Sequence, residues 1–278
     1  MRKIGLSLSY PYLNADFYCE MSRAGVTACE ISVSPDCYSL LDYRKIAVET
    51  AAEGITLWSF HYPFSPFKTL NIASTDRDVR NASVTYLSEL TRKASDIGIL
   101  RFVIHASGEP NRPEDREELL GYAAESLETL STVAASCGAV IAVEDLPRTC
   151  LGNCHEEILR LIGENPALGV CFDSNHLLTE RGEDFLSAVG QRLVTVHISD
   201  YDFVDERHWL PGEGKINWSN MMDALDDVGY TGTFLYELSF GSTRTISRPH
   251  DLVPIDFAQN ARELSDRLPL TKRGTVLI

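Results

Sequence analysis

Short apolar runs alternate with helix-length segments eight times along the 278 residues of the chain. Strands are predicted over Lys3 to Leu8 and Ala28 to Val33, and six later runs end at or near His61, His105, Glu144, Asp173, His197 and Glu237. Helices are predicted near residues 11–24, 41–53, 76–97, 113–137, 153–164, 182–190, 218–228 and 252–267. Strands that alternate with helices of this length are typical of parallel βαβ units.

Eight such units in one chain predict an α/β fold, a closed (β/α)8 barrel. An open doubly wound sheet is the alternative, but such sheets usually carry a glycine-rich first turn. Here the first predicted strand is followed by Ser9-Tyr10-Pro11-Tyr12. No linker or internal repeat divides the chain, so we expect residues 1–278 to form a single domain.

The charge balance is strongly acidic, with 40 Asp and Glu residues against 25 Lys and Arg and a net charge of −15. Proteins that bind nucleic acid usually present a basic surface to the phosphates, so a nucleic-acid partner is not expected. A small neutral or singly phosphorylated ligand fits the balance better. No apolar run is long enough to span a membrane. Seven scattered cysteines, an odd number, indicate a reduced, cytoplasmic chain.

Polar side chains that can bind metal occur at one kind of position. Five of the seven histidines lie at or just past the end of an apolar run, and so do several carboxylates. A buried carboxylate or imidazole is costly unless it is paired or bound to metal. The carboxyl ends of barrel strands share one rim, where active sites lie. The pattern therefore predicts one polar pocket built around a divalent cation.

Four of these residues come from the fifth to eighth strands, namely Glu144, Asp173, His197 and Glu237. Three carboxylates and one imidazole suit Mn²⁺, Co²⁺ or Mg²⁺, and Zn²⁺ also accepts them. The alternative is that each carboxylate caps a helix or pairs with an arginine. Helix capping does not require four successive strands to end in ligands, so the metal interpretation is favoured.

Other polar residues are predicted to contact substrate or a further ion. His61 and His105 could hold a second cation with Glu144 or bind substrate hydroxyls, and His176 could contact substrate or another metal. Additional zinc is therefore possible at His61 and His105 and at His176 and His208. The Pro-Gly turn after His208 can bring that residue or Arg207 over the pocket.

Four loop residues, Arg148, Asp200, Asp202 and Trp209, are further candidates for roles at the site. Arg148, four residues past Glu144, is placed to bind an anionic or hydroxyl-rich ligand. Asp200 and Asp202 are candidates to orient the His197 imidazole, or are plain turn residues. Trp209 could pack on the face of a sugar.

These motifs resemble the xylose isomerase-like TIM barrels, a superfamily that includes ketose 3-epimerases, hydroxypyruvate isomerase, inosose dehydratase and endonuclease IV. The resemblance covers the chain from His61 to Glu237. Its most specific pieces are Asp173-x-x-His176, His197 followed by Asp200, His208-Trp-Leu-Pro-Gly-Glu-Gly214 with Ile216 and Trp218, and Glu237.

The resemblance to the ketose epimerases implies that Glu144, Asp173, His197 and Glu237 bind one catalytic cation. It also implies that Glu144 and Glu237 shuttle the proton, while His176 and His208 contact substrate oxygens. The endonuclease IV pattern, with three zinc ions, falls on His61, His105, Glu144, Asp173, His176, His197, His208 and Glu237. Glu206 stands where that enzyme has Asp.

We therefore expect a divalent-metal-dependent isomerase or epimerase of a small sugar or sugar phosphate. Proton transfer would proceed through an enediolate, with Glu144 and Glu237 as the acid/base pair. An endonuclease IV-like zinc phosphodiesterase acting on abasic DNA, a metal-dependent polyol dehydratase and a non-catalytic sugar-binding barrel are the alternatives. A homo-oligomer is compatible with the sequence, which does not fix the number of subunits.

Overall fold

The computed structural model describes residues 2–278, and its centre is a closed barrel of eight parallel strands in the order β1 to β8. The strands are β1 Ile4–Leu8, β2 Ala28–Ile31, β3 Thr56–His61, β4 Arg101–Ile104, β5 Val140–Glu144, β6 Leu168–Asp173, β7 Leu193–Ile198 and β8 Phe234–Tyr236. Each strand is bonded to the next, and β1 also pairs with β8 to close the barrel. The predicted (β/α)8 barrel is confirmed.

Eight α-helices surround the strands. They are α1 Ala15–Ala24, α2 Tyr43–Ala52, α3 Arg77–Ser95, α4 Arg116–Ser136, α5 His155–Ile162, α6 Gly182–Val189, α7 Trp218–Asp227 and α8 Pro254–Ser265. Each follows the strand of the same number along the chain. None of these helices is long and apolar enough to cross a membrane.

The first helix begins later than the sequence predicts. Residues Tyr10–Tyr12 form a short 3₁₀ turn, and the side chain of Asn14 accepts a hydrogen bond from the Phe17 N–H at 3.0 Å. An Asn at this position satisfies one of the free N–H groups at a helix start, so α1 begins at Ala15. The 3₁₀ turn lies on the rim where the strands end and places Tyr12 beside the cavity.

Two short strands outside the barrel were not predicted. Residues Ile246–Ser247 form β9 and residues Thr275–Val276 form β10, and the two pair antiparallel. They connect the segment after β8 to the C-terminal residues. Strands of two residues carry no periodic pattern, so sequence reasoning has no signal for them.

Candidate metal centre and active site

The polar strand ends surround a cavity of about 500 Å³ at the carboxyl end of the barrel. Its lining includes side chains that follow β1, β3, β4, β5, β7 and β8, together with loop residues. Histidines and carboxylates form one part of the wall, namely His61, His105, His176, His208, Glu109, Glu206 and Glu237. Aromatic rings and serines form much of the rest, namely Tyr12, Phe64, Phe67, Phe240, Ser7, Ser9, Ser32, Ser107 and Ser239.

The four predicted ligands converge. One side-chain atom from each of Glu144, Asp173, His197 and Glu237 lies within 4.8 Å of the corresponding atom of the others. The Nδ1 atom of His197 is 2.7 Å from Glu144 Oε1 and 2.8 Å from Glu237 Oε2. Glu144, Asp173 and His197 are fully buried, whereas the Glu237 side chain retains 21% exposure to the cavity. The set is compact enough to bind one ion.

Two observations show that the set suits a cation. Three carboxylates this close together, two of them fully buried, repel one another unless positive charge lies among them. The Asp173 Oδ2 atom, moreover, has no hydrogen-bond partner although it is buried, which is costly in the absence of a ligand. These residues therefore fit a divalent cation with mostly oxygen ligands.

The tautomers of three histidines support the same interpretation. His61 Nδ1 donates to the Tyr62 carbonyl at 2.8 Å, and His176 Nδ1 donates to the Asp145 carbonyl at 2.8 Å. His208 Nδ1 lies 3.3 Å from the Glu237 carbonyl. A carbonyl can only accept, so a neutral ring presents a lone pair at Nε2. Metal-binding histidines commonly donate their other ring N–H in this way.

His61 and His105 face the same oxygen of Glu144. Their Nε2 atoms lie 3.1 Å and 3.0 Å from Glu144 Oε2, respectively. The two rings are 5.0 Å apart between centroids, and Phe64 stacks on His105 at 4.4 Å. The ligand atoms of His61, His105 and Glu144 form a second group within 4.8 Å, next to the first.

A third group consists of His176, Glu206 and His208, whose ligand atoms also lie within 4.8 Å of one another. The His176 Nε2 atom is 3.8 Å from Glu206 Oε1 and 3.6 Å from Asp173 Oδ2. Glu206 therefore lies close enough to His176 and His208 to join them in binding one ion.

Charges within the site shift the pKa values of Glu144 and Asp173 in opposite directions. Burial alone would raise the pKa of Glu144, but hydrogen bonds and charges from His197, His105 and His61 lower it well below its usual value. Burial and the negative charges of Glu237 and Glu144 raise the pKa of Asp173 well above its usual value. One carboxyl group is thus strongly favoured as an anion, while its neighbour resists ionisation.

Opposing effects also act on the pKa of His61. Burial alone would lower its pKa, but the hydrogen bond and charge of Glu144 outweigh burial and raise it to about 9. For His105, burial is the larger effect, so its pKa is lowered despite the same carboxylate. The pKa values of two neighbouring imidazoles are therefore shifted in opposite directions.

The two arginines predicted to contact substrate are both engaged by carboxylates. Arg148 lines the cavity, but its guanidinium bonds Glu109 at 2.6 Å, Asp205 at 2.7 Å and Glu206 at 3.2 Å. These contacts tie the loops after β4, β5 and β7 together. Arg207 is not a cavity-lining residue in the described chain, and its guanidinium pairs with Asp202 at 2.9 Å. The pairing keeps Arg207 away from the space where a substrate would bind.

Asp200 holds the loop that follows β7 instead of orienting His197. Its carboxylate accepts hydrogen bonds from the N–H groups of Gly212 at 2.8 Å and Ile216 at 3.2 Å, and from the Trp218 indole at 2.9 Å. Burial raises the pKa of Asp200, although these bonds oppose the shift. The resulting fold of the loop brings His208 to the cavity, as the Pro-Gly turn predicts.

The prediction for Trp209 is wrong. Its ring is 2% exposed, and its indole N–H donates to Thr245 Oγ1 at 3.0 Å. A backbone bridge between Asp200 and Trp209 directs the ring into the interior. The aromatic rings that line the cavity are instead those of Tyr12, Phe64, Phe67 and Phe240.

Sequence reasoning missed Glu30, a fully buried carboxylate on β2. Its Oε2 atom lies 3.2 Å from His197 Nε2, on the side of the ring opposite the four-residue set. The available signal was a lone Glu between Ala28-Cys29 and Ile31, a charged residue within an apolar strand. It does not end the strand, so a search of strand ends overlooks it.

Comparisons with known proteins agree with the fold. Residues 20–254 match the family model described as xylose isomerase-like TIM barrel. A solved structure described as a D-tagatose 3-epimerase-like protein superposes with a TM-score of 0.76 at 20% identity, covering 96% of this chain and 98% of that one. At that identity the superposition establishes the fold alone.

Two relatives identified by sequence are more limited in extent. An uncharacterized protein of Methanocaldococcus jannaschii is 27% identical over 182 residues, which cover 62% of each chain. The match thus spans less than two thirds of that relative's length. A D-psicose 3-epimerase of Enterocloster bolteae is 25% identical over 235 residues, or 78% of this chain and 74% of that protein. The family model covers most of the chain, and the chain belongs to the xylose isomerase-like TIM barrel family.

Proposed function

We propose that this protein is a divalent-metal-dependent epimerase or isomerase of a small unphosphorylated ketose, acting by proton transfer. One observation carries the proposal: Glu144 and Glu237 flank the same nitrogen of His197, at 2.7 and 2.8 Å, beside the substrate-sized cavity. The names of the relatives add support, because a D-psicose 3-epimerase matches over 78% of this chain.

Glu144, Asp173, His197 and Glu237 would hold the cation. When bound, it would polarise the carbonyl and adjacent hydroxyl of the ketose and favour loss of the proton between them. The clusters at His61 and His105 and at His176, Glu206 and His208 offer positions for further ions or for substrate oxygens.

The chain's own carboxylates would move the proton. Glu144 ends β5 and Glu237 follows β8, so the two approach the cavity from separate parts of the barrel. One carboxylate would remove the proton from one face of the carbon, and the other acid would return a proton to the opposite face. Inversion at that carbon is the expected result. His176 and His208 would bind substrate oxygens through Nε2.

The charges around the cavity favour a free sugar over a sugar phosphate. Arg148 is the only Lys or Arg among the described cavity-lining residues, and three carboxylates already neutralise it. A phosphate would have to displace Glu109, Asp205 or Glu206. The hydroxyls of Ser9, Ser32 and Ser239 and the aromatic rings instead match the alternating polar and apolar surface of a sugar.

The test is incubation of the protein, loaded with Mn²⁺ or Co²⁺, with free ketopentoses and ketohexoses in D₂O. We expect an epimer or isomer to form with deuterium at the reacting carbon, detected by NMR, and phosphorylated ketoses to react more slowly. Turnover without incorporation of deuterium would contradict proton exchange with solvent. Loss of water from a polyol would instead indicate a dehydratase.

A further inference from the structure

Glu30 lies inside the barrel, one layer below the candidate metal centre, and is fully buried. The strand register places Ser7 of β1 and Ser59 of β3 beside it on either side. Both serines donate to its carboxylate, Ser7 Oγ to Oε1 at 2.9 Å and Ser59 Oγ to Oε2 at 2.7 Å. Three adjacent strands thus build a polar cradle for one carboxylate.

The third group that faces Glu30 is the ring of His197, whose Nε2 lies 3.2 Å from Glu30 Oε2. Among residues 2–278, no arginine or lysine side chain pairs with Glu30. Burying a carboxylate among neutral donors is energetically unfavourable, and the carboxylate of Glu30 is buried in this way beneath the candidate metal centre. His197 is therefore the group through which the charge of Glu30 can act.

We propose that Glu30 is a positioning residue that fixes the tautomer of His197, an inference that rests on the proposed metal-dependent function. The carboxylate accepts the Nε2–H, so Nδ1 keeps its lone pair. That lone pair points at Glu144 and Glu237, which would hold the cation with it. The negative charge of Glu30 also makes the imidazole a stronger ligand, as carboxylates behind metal-bound histidines do elsewhere.

Without Glu30, the neutral His197 ring could carry its single proton on either nitrogen. Nδ1 lies within hydrogen-bond distance of Glu144 Oε1 and Glu237 Oε2, so a neutral ring with its proton there would bond a carboxylate and lose its ligand lone pair. An acceptor at Nε2 removes that competition. The two serines restrict the rotation of the Glu30 carboxylate, which keeps Oε2 directed at the ring.

Two substitutions separate charge from hydrogen bonding. In Glu30→Gln, the amide oxygen can still accept from Ser59 and His197, and the amide nitrogen can donate to Ser7, so only the charge is lost. In Glu30→Met, the acceptor is lost as well. Replacing a residue that hydrogen-bonds a metal-binding histidine typically weakens metal affinity about 10- to 100-fold, so we expect about 10-fold for Gln and about 100-fold for Met.

The matched control is Glu263→Gln. Glu263 is another buried glutamate, but it bonds Gln259 and Thr271 on α8 and the segment after it, and has no contact with His197. This control should retain the wild-type cation affinity within about threefold, a threshold well below the losses expected for the Glu30 variants.

The experiment measures Co²⁺ affinity by chelator competition in the full-length protein, together with its NMR spectrum. An exchangeable, paramagnetically shifted proton is expected for the ring N–H of Co²⁺-bound His197, and it should exchange faster in Glu30→Met. Wild-type affinity and exchange in both Glu30 variants would overturn the positioning role alone. Failure of the wild-type protein to bind any divalent cation would overturn the proposed function, and this inference with it.

Discussion

The Nδ1 atom of His197 lies 2.7 Å from Glu144 Oε1, deep in the carboxyl end of the barrel. A protonated His197 ring donates its Nδ1–H to Glu144, whereas a neutral ring whose Nε2–H is donated to Glu30 presents a lone pair at Nδ1 that would bind a cation beside this carboxylate. The proposed chemistry assigns Glu144 a second task, that of exchanging a proton with substrate. Its replacement should therefore affect binding and turnover.

For Glu144→Gln and Glu237→Gln, we expect turnover of the ketose to fall by about 10²- to 10⁴-fold, the usual contribution of a general acid or base. Deuterium exchange into substrate, measured by NMR, reports the same step directly. The control is Glu117→Gln, because Glu117 lies on the exposed face of α4 and pairs only with Arg160. Wild-type exchange in either site variant would refute its role in proton transfer.

We expect the carboxylates around Arg148 to determine whether the site prefers a free or a phosphorylated ketose. In the double variant Glu109→Gln/Asp205→Asn, the guanidinium loses two of its three anionic partners. A charged hydrogen bond contributes about 1.5–3 kcal/mol, so the freed arginine should improve kcat/KM for a phosphorylated ketose about 10-fold relative to the free sugar. Steady-state kinetics with both substrates measure the ratio. An unchanged ratio would mean that Arg148 does not govern the selection.

The loop that carries His208 is held by a buried ion pair. Glu213 accepts hydrogen bonds from both guanidinium nitrogens of Arg248, at 2.8 and 2.7 Å, with both side chains fully buried. Removal of one partner from such a pair costs about 3–5 kcal/mol, because the other charge stays buried and unpaired. We expect that loss of unfolding free energy for Glu213→Ala, measured by urea denaturation.

The comparison pair is Arg112 and Asp115, which lie 2.7 Å apart, with the Arg112 side chain 71% exposed and that of Asp115 30% exposed. Solvent screens such a pair, so Asp115→Ala should lower stability far less than Glu213→Ala does. Equal losses for the buried and the exposed substitution would contradict the structural role of Glu213.

The sequence predicts the barrel and most of the site for one physical reason: parallel strands deliver their C-terminal residues to the same rim. Glu144, Asp173 and His197 are found together because each lies at the end of an apolar run. The position of Glu30 cannot be predicted in this way because Glu30 lies within a strand, where the strand register determines whether a side chain points into or out of the barrel. That register shifts between Cys29 and Glu30, an irregularity that single-sequence patterns do not show.

Loop residues are the other part that sequence reasoning could not place. Arg148 and Arg207 look alike as free cations near the site, but their roles depend on which carboxylates fold against them. Trp209 is directed inward by a bridge to Asp200 that forms only in the folded loop. Long-range pairings of this kind have no local sequence signature.

Acid should weaken the attachment of the C-terminal segment to α8. Burial alone would raise the pKa of Glu263, but hydrogen bonds from Thr271 and Gln259 outweigh it and lower the pKa below its ordinary value of 4.5. A carboxyl group whose pKa is lower in the folded than in the unfolded protein stabilises the fold at pH values above the unfolded-state pKa. This stabilisation is lost as the pH falls through the folded-state pKa. Glu263→Gln should therefore be less stable at pH 7, by about 1 kcal/mol, and the difference should shrink as the pH falls below 4.5. Urea denaturation across that range measures it, and a difference that grew toward low pH would contradict the assignment.

Divalent cations should stabilise the fold, because Asp173 Oδ2 is buried without a partner beside two other carboxylates. A ligand that binds only the folded state at 100 times its Kd adds about 2.7 kcal/mol to the free energy of unfolding. We expect Mn²⁺ or Co²⁺ to raise the thermal midpoint of chelator-treated protein by several degrees, measured by calorimetry. In Asp173→Asn, the metal-free protein should be at least as stable as wild type, since a repulsive charge is gone, and the rise on adding metal should be largely lost. A full rise in that variant would place the stabilising ion elsewhere, for example at the His61 and His105 cluster.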